Sequence, residues 1–184
     1  MGVDFFWYRC YNIRIGLKII LVLMNMVFFT ADLHIGHRAI CKYRTQFTIP
    51  QEHDEYIIQM WNETITKAKH QVWVLGDMFI KNKYYDFDDI LKKLHGTIRL
   101  ISGNHDYMPA YFNKKILIQT GLVKKYGFWL SHCPIHPQEL RNHKNIHGHI
   151  HGIDNQLNDD RYINVNCEFW NYKPVSLEYL KSLP

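Results

Sequence analysis

A chain of 184 residues has the length of one domain. Hydrophobic residues at 47% and charged residues at 21% exclude a disordered tail or a fibre and leave ample material for a core. The formal net charge of +5 favours an anionic partner, although the lysine pairs (Lys92/Lys93, Lys114/Lys115, Lys124/Lys125) are scattered as on solvated faces and support nucleic acid only weakly, while the 12 histidines point to metal or acid–base chemistry.

At the amino terminus, Ile15 to Phe29 is nearly all apolar with Arg9 and Arg14 upstream, the pattern of a signal peptide or anchor. The run is short for a membrane span, which takes about 20 apolar residues. The motif Thr30-Ala31-Asp32-Leu33-His34 follows Phe29 at once, with no small-residue cleavage site and no spacer. Met26–Thr30 therefore reads as a buried first strand and no membrane partner is expected. Met24 and Met26 can both start a chain, so residues 1–23 read as an extension, either disordered or upstream of the natural start, and 24–184 as one domain. Four cysteines (Cys10, Cys41, Cys133, Cys167) stand far apart without a CxxC pair, which suits a reducing, cytoplasmic location.

Strands and helices then alternate. Gln51–Ala68 has a helical period with Ile57, Trp61, Ile65 and Ala68 along one stripe; Pro50 suits the first turn, and Glu52, Asp54 and Glu55 suit the positive end of the dipole. Val72–Leu75 is a second buried strand running into Gly76-Asp77. Asp86–Leu94 is a second helix, acidic at its start, with Lys92 and Lys93 at its end and Gly96 beyond. Ile98–Ser102 leads into Gly103-Asn104-His105-Asp106. Phe128–Ser131 ends at His132, and Asn145–His147 at Gly148-His149. Tyr162–Asn166 is a last strand, and Ser176 caps a closing helix to Leu180. Such alternation means an α/β domain with strands buried on both faces.

Five of these strands end in a turn carrying metal-type donors: Asp32 and His34, Asp77, Asn104 with His105 and Asp106, His132, and His149 with His151. In open α/β sheets the site lies beyond the carboxyl ends of the strands, so these segments converge. In extended chain, residues i and i+2 project to one side, which lets Asp32 and His34 reach one centre, and His149 and His151 likewise. A mixed Asp/His/Asn set suits borderline first-row cations: manganese first, with iron, nickel or zinc as alternatives. Seven such donors are too many for one ion and right for two, and two ions about 3.5–4 Å apart can clamp both oxygens of a phosphoryl displacement. Glycines before Asp77, Asn104 and His149 permit sharp turns or close approach.

The ordered set Asp-x-His, Gly-Asp, Gly-Asn-His-Asp, lone His, Gly-His-x-His resembles the signature of the calcineurin-like metallophosphoesterases, over roughly residues 26 to 178. The tail Asn164-Val-Asn-Cys-Glu168-Phe-Trp170-Asn-Tyr172-Lys-Pro174-Val, and Trp61-Asn62, are similar to a compact stand-alone bacterial and phage group. The resemblance implies a four-layer α/β/β/α sandwich. It implies that Asp32, His34 and His151 hold one divalent ion, that Asn104, His132 and His149 hold another, and that Asp77 bridges them. His105 is then the non-ligand histidine that contacts phosphate and protonates the leaving group, with Asp106 orienting it. The implied activity is hydrolysis of a phosphodiester, of a nucleotide or other small molecule, by a hydroxide shared between the ions. A phosphomonoesterase (a protein phosphatase included) and a non-catalytic binding scaffold are the alternatives; the oligomeric state stays open. Ile80 stands where purple acid phosphatases carry a tyrosine, and the short span from Asn104 to His132 leaves little room for a cap.

Other features read as ordinary. Cys133 and His136 form a Cys-x-x-His pair beside His132 but lack a second half, so Cys133 reads as a small loop residue. His37, after Gly36, is a candidate substrate contact or a surface residue. His53, His70, His95 and His143 read as surface residues. Trp61, Trp73, Phe128 and Trp129 read as core, and Trp170 and Tyr172, after the last expected strand, either line a substrate cleft or close the core, with core the preferred reading for Trp170.

Overall fold

The computed structural model describes residues 26–80, 86–106, 116–119, 121–152 and 157–184. The expected extension 1–23 lies outside them. Among the described residues, nine strands form two sheets: β1 (Val27–Thr30), β2 (Gln71–Leu75), β3 (Thr97–Ile101), β4 (Ile116–Gln119), β5 (Val123–Lys125), β6 (Phe128–Leu130), β7 (Lys144–His147), β8 (Tyr162–Asn164) and β9 (Val175–Ser176). The first sheet has the order β4-β3-β2-β1-β9, parallel except for β9. The second has the order β5-β6-β7-β8, parallel except for β5.

The apolar strands of the first sheet feed two cores. Phe28, Val72, Val74, Ile98 and Leu100 pack on Ile57, Trp61 and Ile65 of helix α1 (Pro50–Thr64) and its end, and on Ile90 of α2 (Phe87–Lys93). Phe29, Trp73, Leu75 and Ile101 point the other way, onto Phe128, Leu130, Ile146 and Ile163 of the second sheet and onto Leu177 and Leu180 of α3 (Leu177–Ser182). This period-2 split of continuous apolar strands builds the layered sandwich. Over the outer face of the second sheet, the described cover includes Ile135, whose N–H donates to Asn145 Oδ1 and whose carbonyl accepts from the Tyr162 hydroxyl, and Leu140, which follows the 3₁₀ turn Pro137–Glu139 and whose carbonyl accepts from Trp129 Nε1–H.

Helix α1 begins at Pro50 as expected, with the Glu52 carboxylate accepting from the Thr48 and Ile49 N–H groups. It ends at Thr64 rather than Ala68, because Ile65 leaves helical geometry (φ −93°, ψ 86°); Ala68 is exposed. Asp86 caps α2 and Ser176 caps α3 through their side chains. The strand expected as the last, β8, stops at Asn164 rather than Asn166, and β9 follows it. Asn166 instead bridges to Ala31 and caps the 3₁₀ turn Cys167–Trp170. Two histidines expected at the surface are buried. His70 Nδ1 accepts the Met26 N–H, fastening the start of β1, and His53 is fully buried between Arg44 and Asp54. No helix among the described residues is long and apolar enough to cross a membrane.

The first described ties of β1 are the Met26 N–H to His70 and the Gln71 N–H to Met26 O. A chain begun at Met24 keeps both and is expected to melt at the same temperature as the full chain. Insolubility of the shortened chain beside a soluble full chain would instead make residues 1–23 structural.

Candidate metal centre

Strands β1, β2 and β3 of one sheet and β6 and β7 of the other deliver their carboxyl ends to one edge of the sandwich. The Asp32 N–H donates to Gly76 O and the His34 N–H to Asp77 O, stitching the first two turns; the Gly148 N–H donates to His132 O across the second sheet. The donors do not converge by extended-chain alternation. Asp32, His34, Asp77 and His149 all hold positive φ, at 57°, 51°, 53° and 70°. Each costs about 1 kcal/mol or more in a residue with a Cβ, a cost sustained only where the surroundings over-determine it. Close approach also needs the glycines. A Cβ on Gly103 would sit 2.1 Å from Asp77 Oδ1, and one on Gly148 2.4 Å from Asp32 Oδ2.

Donor atoms of Asp32, His34 and His151 lie within 4.8 Å of one another, as do those of Asp32, Asp77 and His132. His34 Nε2 faces His151 Nε2 at 3.4 Å. His132 Nε2 faces Asn104 Oδ1 at 2.9 Å and His149 Nδ1 at 3.1 Å. Asp77 Oδ2 stands between the groups, 3.9 Å from His34 Nε2 and 3.5 Å from His132 Nε2. Asp32 Oδ1 is buried with no hydrogen-bond partner, 3.7 Å from His151 Nε2. An orphaned carboxylate oxygen among imidazoles that face one another is costly without a cation. The donor set and its orphan therefore fit divalent ions.

Protonation follows the same crowding. Burial pushes the Asp32 carboxyl up to about 6. Burial also acts against the Asp77 anion, but the His132 hydrogen bond and charge outweigh it and hold Asp77 below the usual carboxylate range. Burial holds His34 and His149 below the ordinary imidazole value, so both offer lone pairs at neutral pH. His132 is raised because Asp77 and Asp32 outweigh its burial, and His151 because Glu168 hydrogen-bonds to it. A metal must displace any proton that these two rings carry. Cation uptake is expected to release protons and to weaken as the pH falls, measurable as acidification of a weakly buffered protein on addition of Mn²⁺. Uptake without acidification would show that neither ring is protonated beforehand.

Around the donors lies a polar layer. His132 Nδ1 bonds to Leu75 O at 2.8 Å, which leaves Nε2 toward the centre. His151 Nδ1 lies 3.1 Å from Glu168 Oε1, and Asn166 Nδ2 is also within reach of that nitrogen. The Arg44 guanidinium, 2% exposed, donates to Glu168 Oε1, Asp32 O and Leu33 O. Its remaining described bond is to His53 Nε2, while His53 Nδ1 meets Asp54 Oδ1 and Asp54 Oδ2 accepts the Gly36 N–H. One buried cation thus ties the Asp32–His34 turn to the carboxylate that orients His151. Arg44→Ala is expected to cost about 3–5 kcal/mol, as breaking one side of a buried pair does. A loss below 1 kcal/mol in denaturant melts would show that the clamp carries no load.

Burial alone raises the Glu168 carboxyl, but His151 and Arg44 prevail and bring it down to about 2. A depressed carboxylate stabilises the fold above its unfolded value of 4.5, and that contribution fades as the pH falls toward 2. In chelator, wild type is therefore expected to melt above Glu168→Gln at pH 5–7, with the gap closing between 4.5 and 2. A gap independent of pH would contradict the ionised pair.

All seven expected donors meet at this edge. His105 is exposed, its ring 5.6 Å from that of His34, and its own N–H donates to Asp77 Oδ1. Asp106 does something the sequence did not suggest. Its carboxylate accepts the N–H groups of Asp77, Met78 and Gly103, so it fastens the β2 turn to the β3 turn. His37 lines a cleft of about 740 Å³ with His34, His105, His151, Lys42 and Tyr43. Its ring stacks on that of Tyr43 with centroids 6.0 Å apart. The sequence did not place Arg44, His53, Asp54, Asn166 and Glu168 at the site. The available signal was that His53 falls on the same i, i+4 stripe as Ile57, Trp61 and Ile65.

A profile of calcineurin-like phosphoesterases matches residues 26–182. The chain belongs to that family. Among similar proteins is uncharacterized protein MJ1445 of Methanocaldococcus jannaschii, 33% identical over 170 residues that cover 87% of this chain and 92% of that one. The gene 66 protein of Mycobacterium phage D29 is 38% identical, covering 80% and 90%. The crystal structure of AQ665 from Aquifex aeolicus, described as of unknown function, superposes with a TM-score of 0.66 at 24% identity, over 86% of this chain and 99% of that one, and shares the fold. As a calcineurin-like phosphoesterase the chain carries the sandwich and the clustered His/Asp donors of that family.

Proposed function

We propose that the protein is a dinuclear metal-dependent hydrolase of a small-molecule or nucleotide phosphodiester. The observation that carries this reading is Asp77 Oδ2 set between two donor groups, within 4 Å of both His34 and His132. Asp32, His34 and His151 hold one divalent ion, Asn104, His132 and His149 the other, and Asp77 bridges them. Manganese is the first candidate metal, with iron, nickel and zinc as alternatives. When bound, such ions lower the pKa of water from about 15.7 toward 7 and stabilise negative charge on phosphoryl oxygens.

The chain's own residues do the rest. His105, free at the cleft wall, donates a proton to the leaving oxygen. Asp106 holds the turns of Asp77 and His105 in register through backbone amides and is a positioning residue. His37 and Tyr43 form an aromatic wall along the cleft that leads away from His34, and Lys42 adds positive charge beside it. A diester needs space for a second alcohol group, which this cleft offers, and a nucleobase suits the stacked rings.

The test is turnover by Mn²⁺-loaded protein on an aryl phosphomonoester, an alkyl phosphodiester and a cyclic nucleotide. Diester hydrolysis that vanishes with chelator is the expected result. Hydrolysis of the monoester alone would replace the diesterase by a monoesterase, and no turnover on any of them would leave a binding scaffold.

A further inference from the structure

Cys133 and His136 formed a metal-type pair without a partner in the sequence. The fold gives Cys133 a different pair. His136 is exposed, and its Nδ1 accepts the Gln138 N–H to start the 3₁₀ turn. Cys133 sits where β6 ends, and one donor atom each from His132, Cys133 and His149 lies within 4.8 Å of the others. The Ser131 hydroxyl donates to Cys133 O, and the Gly148 N–H to His132 O, so both turns are pinned where these donors meet. His132 is buried, whereas Cys133 and His149 are exposed at the rim, where a cation arrives from solvent. The other described thiols differ. Cys167 is fully buried and bonds to Asp32 O; Cys41 lies in the turn Ile40–Lys42.

We propose that Cys133 is a thiolate donor to the ion held by His132 and His149, which makes this position a mixed nitrogen–sulfur site for thiophilic cations. The inference rests on the dinuclear reading above and adds a sulfur to one half of it. On binding, the thiol gives its proton to the buffer and a sulfur–metal bond forms in its place. Thiolate is a soft ligand, so it strengthens binding of zinc, cobalt or cadmium and adds little for manganese. The two halves of the centre then differ in chemistry: Asp32, His34 and His151 bring only oxygen and nitrogen, whereas the second half includes sulfur.

The test uses the full chain, stripped with chelator and titrated with Co²⁺ alone. A thiolate-to-cobalt charge-transfer band in the near ultraviolet is expected in wild type and in His136→Ala, and is expected to be lost in Cys133→Ser. Cys133→Ser should loosen Cd²⁺ by about tenfold or more, the scale on which even outer-shell partners act, and leave Mn²⁺ binding nearly unchanged. Without any variant, Cd²⁺ should protect Cys133 but not Cys41 from alkylation, read by peptide mapping. No band in cobalt-loaded wild type, a band surviving in Cys133→Ser, or equal alkylation of Cys133 with and without Cd²⁺ overturns the proposal. These readouts need no turnover. The band and the protection without hydrolysis of any phosphoester would sink the hydrolase reading and keep the sulfur ligand, and hydrolysis without the band would do the reverse.

Discussion

Asp77→Asn is expected to lower turnover by roughly a thousandfold or more and to cost bound metal. The Lewis-acid contribution of such ions is several kcal/mol, and each factor of ten in rate takes about 1.4 kcal/mol. Asparagine keeps the shape of the side chain and an acceptor for the His105 N–H, which now meets Asp77 Oδ1 at 2.9 Å. It removes the negative charge that faces both His34 and His132, and it can turn an NH₂ group toward two imidazoles. The loss therefore isolates the charge at the bridging position from the packing around it. His149→Ala is expected to lose turnover with it, but to lose mainly the ion shared with His132 and Asn104. Metal analysis of the purified variants checks both. Two equivalents still bound in Asp77→Asn would refute the bridging role, whatever happens to the rate.

The centre was legible because its donors sit in turns directly after apolar strands. Asp32, Asp77, Asn104 and His132 each follow an apolar run such as Val72–Leu75, His149 is marked instead by its Gly-His-x-His turn after Lys144–His147, and strand ends of one α/β sandwich meet at one edge. The way they meet was not legible. Alternation in an extended chain suggested how Asp32 and His34 share a target, whereas both residues are in the left-handed region and the turn itself aims them. Strands β4 and β5 lead into no donor-bearing turn that would mark them in the sequence, and β9 has only two residues. The supporting layer was hidden for a different reason. Arg44, His53 and Asp54 are polar, and polarity reads as solvent exposure unless their partners are known. The partners of Arg44 are 9 to 124 residues away in sequence, from His53 to Glu168. The described bonds of Asp106 were hidden in the same way, since they go to backbone N–H groups of the β2 turn and of its own turn.

His105→Ala is expected to keep both metals, lose about 10²–10⁴-fold in rate, and lose most on substrates with a poor leaving group. His105 is close to the donors without being placed among them. Its ring stands 5.6 Å from that of His34, it lines the cleft, and its backbone N–H already serves Asp77, which fixes the residue whatever its side chain does. Alanine therefore keeps the turn and the bond to Asp77 Oδ1 and removes only the imidazole. An alkyl or nucleoside diester leaves as a basic alkoxide and needs the proton; an activated aryl diester leaves as a stable phenolate and needs little. The ratio of kcat on the two substrates, with metal content measured in the same preparations, separates the roles. A large drop on the alkyl diester beside a small one on the aryl diester marks a general acid. Equal drops would mean that the imidazole stabilises phosphoryl charge instead, since that demand is common to both substrates. Metal lost along with rate would move His105 from the cleft wall into the ligand set.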